Sequence, residues 1–212
     1  MAWQGTATPC RPPSPVAAGA ACFCLAVLFW FSFAAHALGA EALDTVKSAA
    51  EKALEVLKDP TLKTPDKKEE RIARLKEIIN PIFDYEEIAR RCLGPYWRRR
   101  TPAEQEEFAK LFREFLEKTY ADKVDLFEGE KILFNRETTD QDYAQVDSTV
   151  INDKGKASSV VYRLKRTDGQ WKVYDAVIEN VSIVNNYRSQ FERVIAKSSY
   201  EELKRMLREK AQ

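Results

Sequence analysis

Residues Trp171–Phe191, WKVYDAVIENVSIVNNYRSQF, predict a long β-strand that runs directly into an amphipathic helix. Apolar side chains occupy both sides of the period-2 pattern as far as Val184, with Val173, Val177 and Val181 on one side, so we expect both faces of the strand to be largely apolar. A strand of this length far exceeds the average of roughly 5–6 residues, and it is expected to bend or break at Asp175 or Asn180. A sheet bent in this way has a concave side.

The helix predicted after this strand covers that concave side. From Asn186 onward the period becomes helical, and one face carries Tyr187, Phe191, Val194 and Ile195. A curved sheet under such a helix predicts an enclosed apolar space. Aromatic and aliphatic stripes at helical spacing are also typical of an ordinary solid core, so the pattern leaves both possibilities open.

Residues 1–40 differ in composition from the rest of the chain. They contain one charged side chain, Arg11, followed by an uncharged apolar run from Val16 to Ala35. This pattern predicts a secretory signal peptide that is cleaved after Ala37 or Ala40. The alternative is an uncleaved membrane anchor, because about 20 apolar residues can span a bilayer. Residues 41–212 are expected to form a single domain.

Removing this segment excludes several classes of site. Three of the four cysteines leave with it, as does His36, the only histidine, so Cys92 is the one cysteine that remains. The mature chain therefore cannot form an internal disulfide or a histidine-dependent catalytic dyad or triad, and it has no plausible metal site. No GxxxxGK[ST] or GxGxxG motif is present, which argues against a nucleotide cofactor. Without Arg11 the 34 basic residues become 33, equal to the 33 acidic residues, so we expect no binding to nucleic acid.

Stripes and capping signals predict a series of helices, and the first two, the second of them with the narrow stripe Ile72, Leu75 and Ile79, are expected to pack outside the sheet. The first helix is expected over residues 44–58, with Asp44 as its cap. A second helix is expected after Thr64-Pro65, and a third between Asp84 and Gly94. The best-defined helix starts at the capping box Thr101–Glu104, and its apolar stripe comprises Phe108, Leu111, Phe112, Phe115, Leu116 and Tyr120. A last helix follows the capping box at Ser199.

The segment after Gly129 alternates with period 2 and predicts strands. Turn sequences at 153–156 and 167–170 supply the glycines that tight hairpins need. Four consecutive strands are therefore expected to form an antiparallel meander that ends in the long strand.

Two polar features allow functional alternatives. Asp175, beside Tyr174, could act as a general base in a half-open pocket; we favour a buried carboxylate paired with a cation such as Arg188, because an unpaired buried charge is very costly. The cluster Trp97-Arg98-Arg99-Arg100 could contact a lipid headgroup, a membrane or a partner, or could consist of solvated arginines near helix ends.

Five segments, taken together and in order, resemble the MlaC-type proteins, also called toluene-tolerance or ABC-transporter auxiliary proteins. The segments are 83–90, 93–98, 108–120, 174–182 and 186–191. The resemblance covers roughly Thr45 to Lys210. Ile88 stands where the family often has methionine, and Ala176 where a second β-branched residue is common.

The resemblance implies a non-enzymatic periplasmic phospholipid carrier without a cofactor. Its implied partners are an outer-membrane lipoprotein complex and an inner-membrane ABC transporter complex with a membrane-anchored lipid-binding subunit. Two other functions remain possible: a small-molecule enzyme that uses Asp175 and Tyr174, and a non-catalytic interaction module with a solid core.

The predicted fold is α+β: a curved four-stranded antiparallel meander wrapped by several helices around an apolar cavity, an NTF2-like cone with a helical extension. Arg98 and Arg188 are the headgroup candidates, and no residue is assigned to catalysis or to a metal. The side chains expected to line the cavity are Phe83, Ile88, Trp97, Phe108, Leu111, Phe112, Phe115, Tyr120, Val146, Tyr162, Val173, Val177, Val181 and Tyr187.

Overall fold

The computed structural model describes residues 37–121 and 129–211, with side chains described from residue 42 onward. The predicted signal peptide, residues 1–40, lies outside the described residues except for its last four, which begin the first helix. From Leu38 onward the chain forms one compact unit. Within the described ranges, no helix combines the length and the apolarity needed to cross a bilayer.

Six α-helices surround the sheet in the described part of the chain. They are α1 (Ala37–Lys58), α2 (Lys68–Ile79), α3 (Tyr85–Leu93), α4 (Pro102–Ala121), α5 (Ile183–Lys197) and α6 (Tyr200–Ala211). Short 3-10 turns at Pro60–Leu62, Pro65–Lys67, Asn80–Ile82 and Gly94–Arg99 connect α1 to α4.

Capping explains most of the helix boundaries. The carboxylate of Asp84 accepts a hydrogen bond from the Glu87 backbone N–H at 2.9 Å and caps α3. Before α4 the predicted capping box is present, with the Thr101 N–H donating to Glu104 at 2.7 Å and the Glu104 N–H donating to Thr101 at 3.3 Å.

Two helix starts differ from the prediction. Helix α1 begins at Ala37, so Asp44 lies inside it and does not cap it, because the alanine- and leucine-rich residues ahead of Asp44 are good helix formers. Helix α5 begins at Ile183, ahead of the predicted Asn186, because the Ser182 hydroxyl accepts from the Asn185 N–H at 3.0 Å.

The sheet is an antiparallel meander of five strands in the order β1-β2-β3-β4-β5. The strands are β1 (Lys131–Asp140), β2 (Tyr143–Ile151), β3 (Ala157–Thr167), β4 (Gln170–Ile178) and β5 (Val181–Ser182). The predicted count of four was one too few, because the long strand divides at Glu179 and Asn180, which have φ of 48° and 64°. This turn confirms the expected break at Asn180.

A β-bulge at Tyr174 changes which side of the sheet each later residue faces. Val173 pairs with Leu164 and Asp175 pairs with Arg163, so Tyr174 is the extra residue on β4. The predicted irregularity near Asp175 is therefore present.

The bulge also separates Val173 from Val177, which the uninterrupted alternation had placed on one face. Val177 pairs with Val161, three residues before Leu164 on a regularly paired strand, so Val173 and Val177 face opposite sides.

Two apolar clusters form the core. In the sheet cluster, Ala42 and Val46 of α1 pack against Ala144, Val146, Leu164, Trp171 and Val173. In the helical cluster, the phenylalanine stripe of α4 packs against α3, α5 and α6. The rings of Phe112 and Phe191 lie 5.1 Å apart in an edge-to-face arrangement. Phe83 packs against both clusters.

Candidate functional site

An apolar cavity of about 290 Å³ lies where four helices meet β4. Side chains from α2, the turn before α3, α3 itself, the end of α4 and the start of α5 surround it. The larger aliphatic and aromatic side chains that line it are Ile72, Leu75, Ile79, Phe83, Ile88, Leu116, Ile183 and Val184.

Local sequence explains how these side chains converge. The narrow stripe Ile72, Leu75 and Ile79 lies along one side of the very polar helix α2, which the sequence had placed outside the sheet. The break after β4 starts α5 early and brings Ile183 and Val184 to the cavity wall. Without that break these two residues would have continued a strand.

The volume sets what the cavity can hold. An apolar cavity of ~150 Å³ is known to bind one benzene molecule, which has six carbon atoms. The cavity in this protein has about twice that volume and therefore holds about a dozen carbon atoms. An elongated aliphatic chain therefore fits this space better than a compact polar ligand does.

Charged side chains at one side of the cavity form a network. Glu117, on α4, accepts from Lys76 Nζ at 2.8 Å and from Arg113 Nε at 2.7 Å. It also accepts from the Asn80 side-chain amide at 3.1 Å, and Asn80 in turn accepts from the Tyr85 hydroxyl at 2.8 Å. Burial favours a higher pKa for Glu117, but the hydrogen bonds and charges of Lys76 and Arg113 outweigh it and hold the pKa below its ordinary value.

Asp175 also borders the cavity, but its carboxylate is fully engaged. It is 4% exposed and accepts from Ser182 Oγ at 2.7 Å, from the Val184 N–H at 3.1 Å and from Arg163 Nη1 at 3.1 Å. The expected ion pair is present, although Arg163 and not Arg188 supplies the cation. Three donors on one carboxylate leave it poorly suited to act as a general base.

Arg188 lies elsewhere, against the end of α3. Its Nε lies 3.1 Å from the position that a Cβ on Gly94 would take, and Gly94 has φ of 54°. The glycine therefore serves both the left-handed turn and the close approach of this guanidinium.

Three tyrosines supply neutral polar groups to the cavity wall. Burial raises the pKa of Tyr85 to about 12 and also raises the pKa of Tyr120 and of Tyr174. Arg91 lies over the Tyr174 ring, 3.9 Å from its centre. All three hydroxyls therefore stay protonated and uncharged at neutral pH.

Twelve of the fourteen predicted lining residues fall into three groups. Phe83, Ile88 and Tyr120 line the cavity. Six others belong to the helical cluster and not to the cavity wall: Trp97, Phe108, Leu111, Phe112, Phe115 and Tyr187. Val146 and Val173 are in the sheet cluster, with Tyr162 packed against it. These residues do not line the cavity because they pack against other side chains of the two clusters.

The remaining predicted site residues also lie away from the cavity wall. Val177 is half-buried on the side of the sheet opposite Val173, and Val181 is 58% exposed in the short strand β5. Arg98 and Arg188 are exposed and do not contribute to the lining. The bulge at Tyr174 moves Val177 away from the side on which Val173 lies, and the turn at Glu179 and Asn180 leads Val181 into the edge strand β5.

The sequence analysis did not predict that side chains of α2 and the first residues of α5 line the cavity. The stripe of α2 was visible as Ile72, Leu75 and Ile79, but its polar surroundings favoured a peripheral position. Ile183 and Val184 were assigned to a strand. Neither error could be detected from periodicity alone, because the same apolar spacing suits a core contact and a cavity wall.

Comparison with known proteins identifies the family. The sequence profile of the family described as "MlaC protein" matches residues 47–209. This match covers more than half of the chain. The chain belongs to the MlaC family.

Two curated relatives agree with this assignment. The "intermembrane phospholipid transport system binding protein MlaC" of Haemophilus influenzae is 26% identical over 117 residues, which covers 53% of this chain and 55% of the relative. The "toluene tolerance protein ttg2D" of Pseudomonas putida is 25% identical over 119 residues, which covers 55% of each protein. The matches thus span about half the length of these relatives.

A solved structure extends the likeness to the fold. The phospholipid-binding protein from Ralstonia solanacearum, determined in complex with a phospholipid, superposes with a TM-score of 0.69 at 27% identity. The superposition covers 81% of this chain and 97% of that protein. It confirms the predicted α+β fold and the MlaC-type resemblance.

Proposed function

We propose that this MlaC-family chain is a periplasmic phospholipid carrier, without enzymatic activity, that moves lipid between membranes as part of an ABC-type lipid transport system. The observation that carries the proposal is the apolar cavity, which lies on a fold shared with a protein solved with phospholipid bound. The name of the Haemophilus influenzae relative also supports phospholipid binding and transport.

The energetics of an acyl chain explain why a carrier needs such a cavity. Each buried CH₂ is worth about 0.8 kcal/mol, so a chain of roughly 16 carbons costs on the order of 12 kcal/mol when it is exposed to water. A wall of aliphatic and aromatic side chains removes this cost, and the polar headgroup remains at the mouth. The space in the structure accommodates about a dozen carbon atoms, fewer than the roughly 16 of one such chain, so we expect the cavity to widen on loading.

Export is part of the proposal. We expect cleavage of the signal peptide after Ala37 or Ala40. Cleavage after Ala40 gives a mature domain of residues 41–212, and cleavage after Ala37 gives a mature domain that begins at Leu38. Ala42 and Val46 are the first residues of α1 in the sheet cluster. Cleavage at either position therefore leaves the packed face of α1 intact.

The proposed donor and acceptor are membrane complexes. One is an outer-membrane lipoprotein complex, and the other is the inner-membrane ABC transporter with its membrane-anchored lipid-binding subunit. A soluble intermediate is required because a phospholipid crosses an aqueous compartment only slowly when its chains are exposed.

Neither alternative function gains support from the geometry. A solid core is inconsistent with a cavity of about 290 Å³, and the carboxylate of Asp175 is occupied by Ser182, Val184 and Arg163. The carrier is therefore the function that the site fits best.

Native mass spectrometry of the mature protein purified from cells, followed by solvent extraction, tests the proposal. We expect a stoichiometric mass shift that resolves into phospholipids. The same spectra give the mass of the mature chain and hence the cleavage position. A mass equal to that of the bare protein, together with no uptake from phospholipid vesicles, would refute the carrier function.

A further inference from the structure

The charges beside the cavity are distributed unevenly. Lys76 is the one cationic side chain among the described residues that line the cavity, and Glu117 and Asp175 are the acidic ones. Asp175 is buried, whereas Lys76 and its neighbour Arg113 are 42% and 45% exposed. Lys76 thus lies where the apolar wall meets water, and Arg113, which does not line the cavity, lies beside it on Glu117.

Glu117 holds these two cations close together. Its side chain is 15% exposed, and its two oxygens accept separately from Lys76 Nζ and Arg113 Nε at 2.8 Å and 2.7 Å. The residues come from α2 and α4, which border the cavity from two sides. Two donors that converge on a pair of oxygens with one negative charge also match a phosphodiester.

We propose that Lys76 and Arg113 form the phosphate subsite for a phospholipid whose acyl chain occupies the cavity, and that Glu117 positions them and gives way to the phosphate. This inference rests on the proposed carrier function. It adds the position of the headgroup, which the sequence had assigned to Arg98 and Arg188. Those two arginines do not contribute to the cavity lining, whereas Lys76 does.

The side chains around Glu117 make this exchange feasible. Asn80 keeps a bond to the Tyr85 hydroxyl at 2.8 Å, and Arg113 lies over the Tyr85 ring, 5.2 Å from its centre. Arg113 therefore keeps its contact with the Tyr85 ring when the carboxylate moves aside. Because Glu117 carries the same charge as the phosphate, it weakens binding of the ligand that the cations attract.

Isothermal titration calorimetry with two single-chain ligands separates the headgroup from the chain. The delipidated protein is titrated with a lysophosphatidylglycerol and with a monoacylglycerol of the same acyl chain, below their micelle concentrations. For Lys76→Gln and Arg113→Gln we expect about three- to tenfold weaker binding of the lysophospholipid and unchanged binding of the monoacylglycerol. Glu117→Gln is expected to bind the lysophospholipid about two- to fivefold more tightly.

Two controls sharpen the test. Arg113→Lys keeps the positive charge and should retain most of the affinity for lysophospholipid. Arg205→Gln removes ion pairs to Glu202 and Glu209 on α6, away from the cavity, and should leave the affinity for both lipids unchanged. Inorganic phosphate titrated alone distinguishes a lipid headgroup site from a free anion site, and we expect no binding at millimolar concentration.

Several outcomes would overturn the inference. One is that Lys76→Gln and Arg113→Gln lose affinity for both lipids equally, and another is that they lose affinity for neither. A third is that inorganic phosphate binds as tightly as the lysophospholipid. Failure of the wild-type protein to bind either lipid is a different result, since it would remove the carrier function itself.

Discussion

Asp175 shows how one side chain joins elements that are separate in sequence. Its carboxylate receives a hydrogen bond from Arg163 on β3, from Ser182 on β5 and from the backbone of Val184 on α5. Ser182 also caps α5, so the Asp175 carboxylate supports the residue that starts this helix. The wall that Ile183 and Val184 give to the cavity depends on this arrangement.

Replacing Asp175 with asparagine should therefore destabilise the fold. The amide removes the charge that Arg163 pairs with and places an NH₂ group among three donors, so we expect the free energy of unfolding to fall by about 2–4 kcal/mol. Urea denaturation measures this loss. Asp168→Asn is the matched control, because Asp168 is exposed in a turn with φ of 51° that asparagine also adopts. Equal stability of the two variants would contradict the structural role of Asp175.

Glu87 predicts a pH dependence of stability. It is 6% exposed and pairs with Arg90 at 2.6 Å and with Arg91 at 2.8 Å. Burial favours a higher pKa, but the hydrogen bond from Arg90 and the charges of Arg91 and Arg90 outweigh it and lower the pKa of Glu87 below 4.5. The unfolded chain then binds a proton more readily than the folded chain does.

This contribution is present above the unfolded pKa of about 4.5 and is lost as the pH falls through the lower folded value. We expect Glu87→Gln to cost about 1–3 kcal/mol at pH 7 and progressively less below pH 4.5, so its stability curve should be flatter on the acid side. Chemical denaturation at a series of pH values measures both curves. A constant difference between wild type and variant down to the acid limit would show that Glu87 does not contribute through its charge.

At the scale of elements, the bulge in β4 decides on which side of the sheet Ala176 and Val177 lie. Ala176 lines the cavity, whereas the next residue, Val177, does not. The two adjacent positions form a natural pair for substitution.

We expect Ala176→Phe to reduce the lipid that copurifies with the protein by more than half, because the ring occupies space that an acyl chain needs. Val177→Phe adds a larger side chain at the neighbouring position outside the cavity and should leave the lipid content unchanged. Quantitative lipid extraction measures both, and thermal unfolding checks that each variant is folded. Loss of lipid in Val177→Phe alone would place the cavity on the other face of the sheet.

At the scale of the whole molecule, the core is divided into the sheet cluster and the helical cluster. Phe83 contacts both clusters, and it also lines the cavity that lies beside the helical cluster. Bound lipid would therefore add apolar contacts to side chains from α2, α3, α4 and α5 at once. Its effect on stability should involve the entire domain.

Removal of lipid is expected to lower the thermal midpoint. A ligand present at 100 times its Kd stabilises the folded state by about 2.7 kcal/mol, which corresponds to roughly 5–10 °C for a domain of this size. Differential scanning calorimetry before and after delipidation measures the change, and added lysophosphatidylglycerol should restore the midpoint. Ala176→Phe should show a smaller shift than wild type. Identical midpoints for the loaded and stripped protein would argue that lipid binds at the surface only.

Local patterns in the sequence determined the elements and the family. The Thr101–Glu104 capping box, the phenylalanine stripe of α4 and the turn glycines acted through neighbours within a few residues, so they could be recognised directly. The same holds for the two expected irregularities near Asp175 and Asn180. The motifs that marked the MlaC resemblance are likewise contiguous segments of chain.

Only the tertiary structure decided which apolar side chains line the cavity. Stripes of phenylalanine and valine show that a side chain is buried, but not whether it meets another side chain or an empty space. The bulge at Tyr174 reversed the facing of every later residue on β4, and long-range bonds of Asp175 and Glu117 set the two edges of the cavity. These effects depend on pairing between residues far apart in the chain, which no local period records.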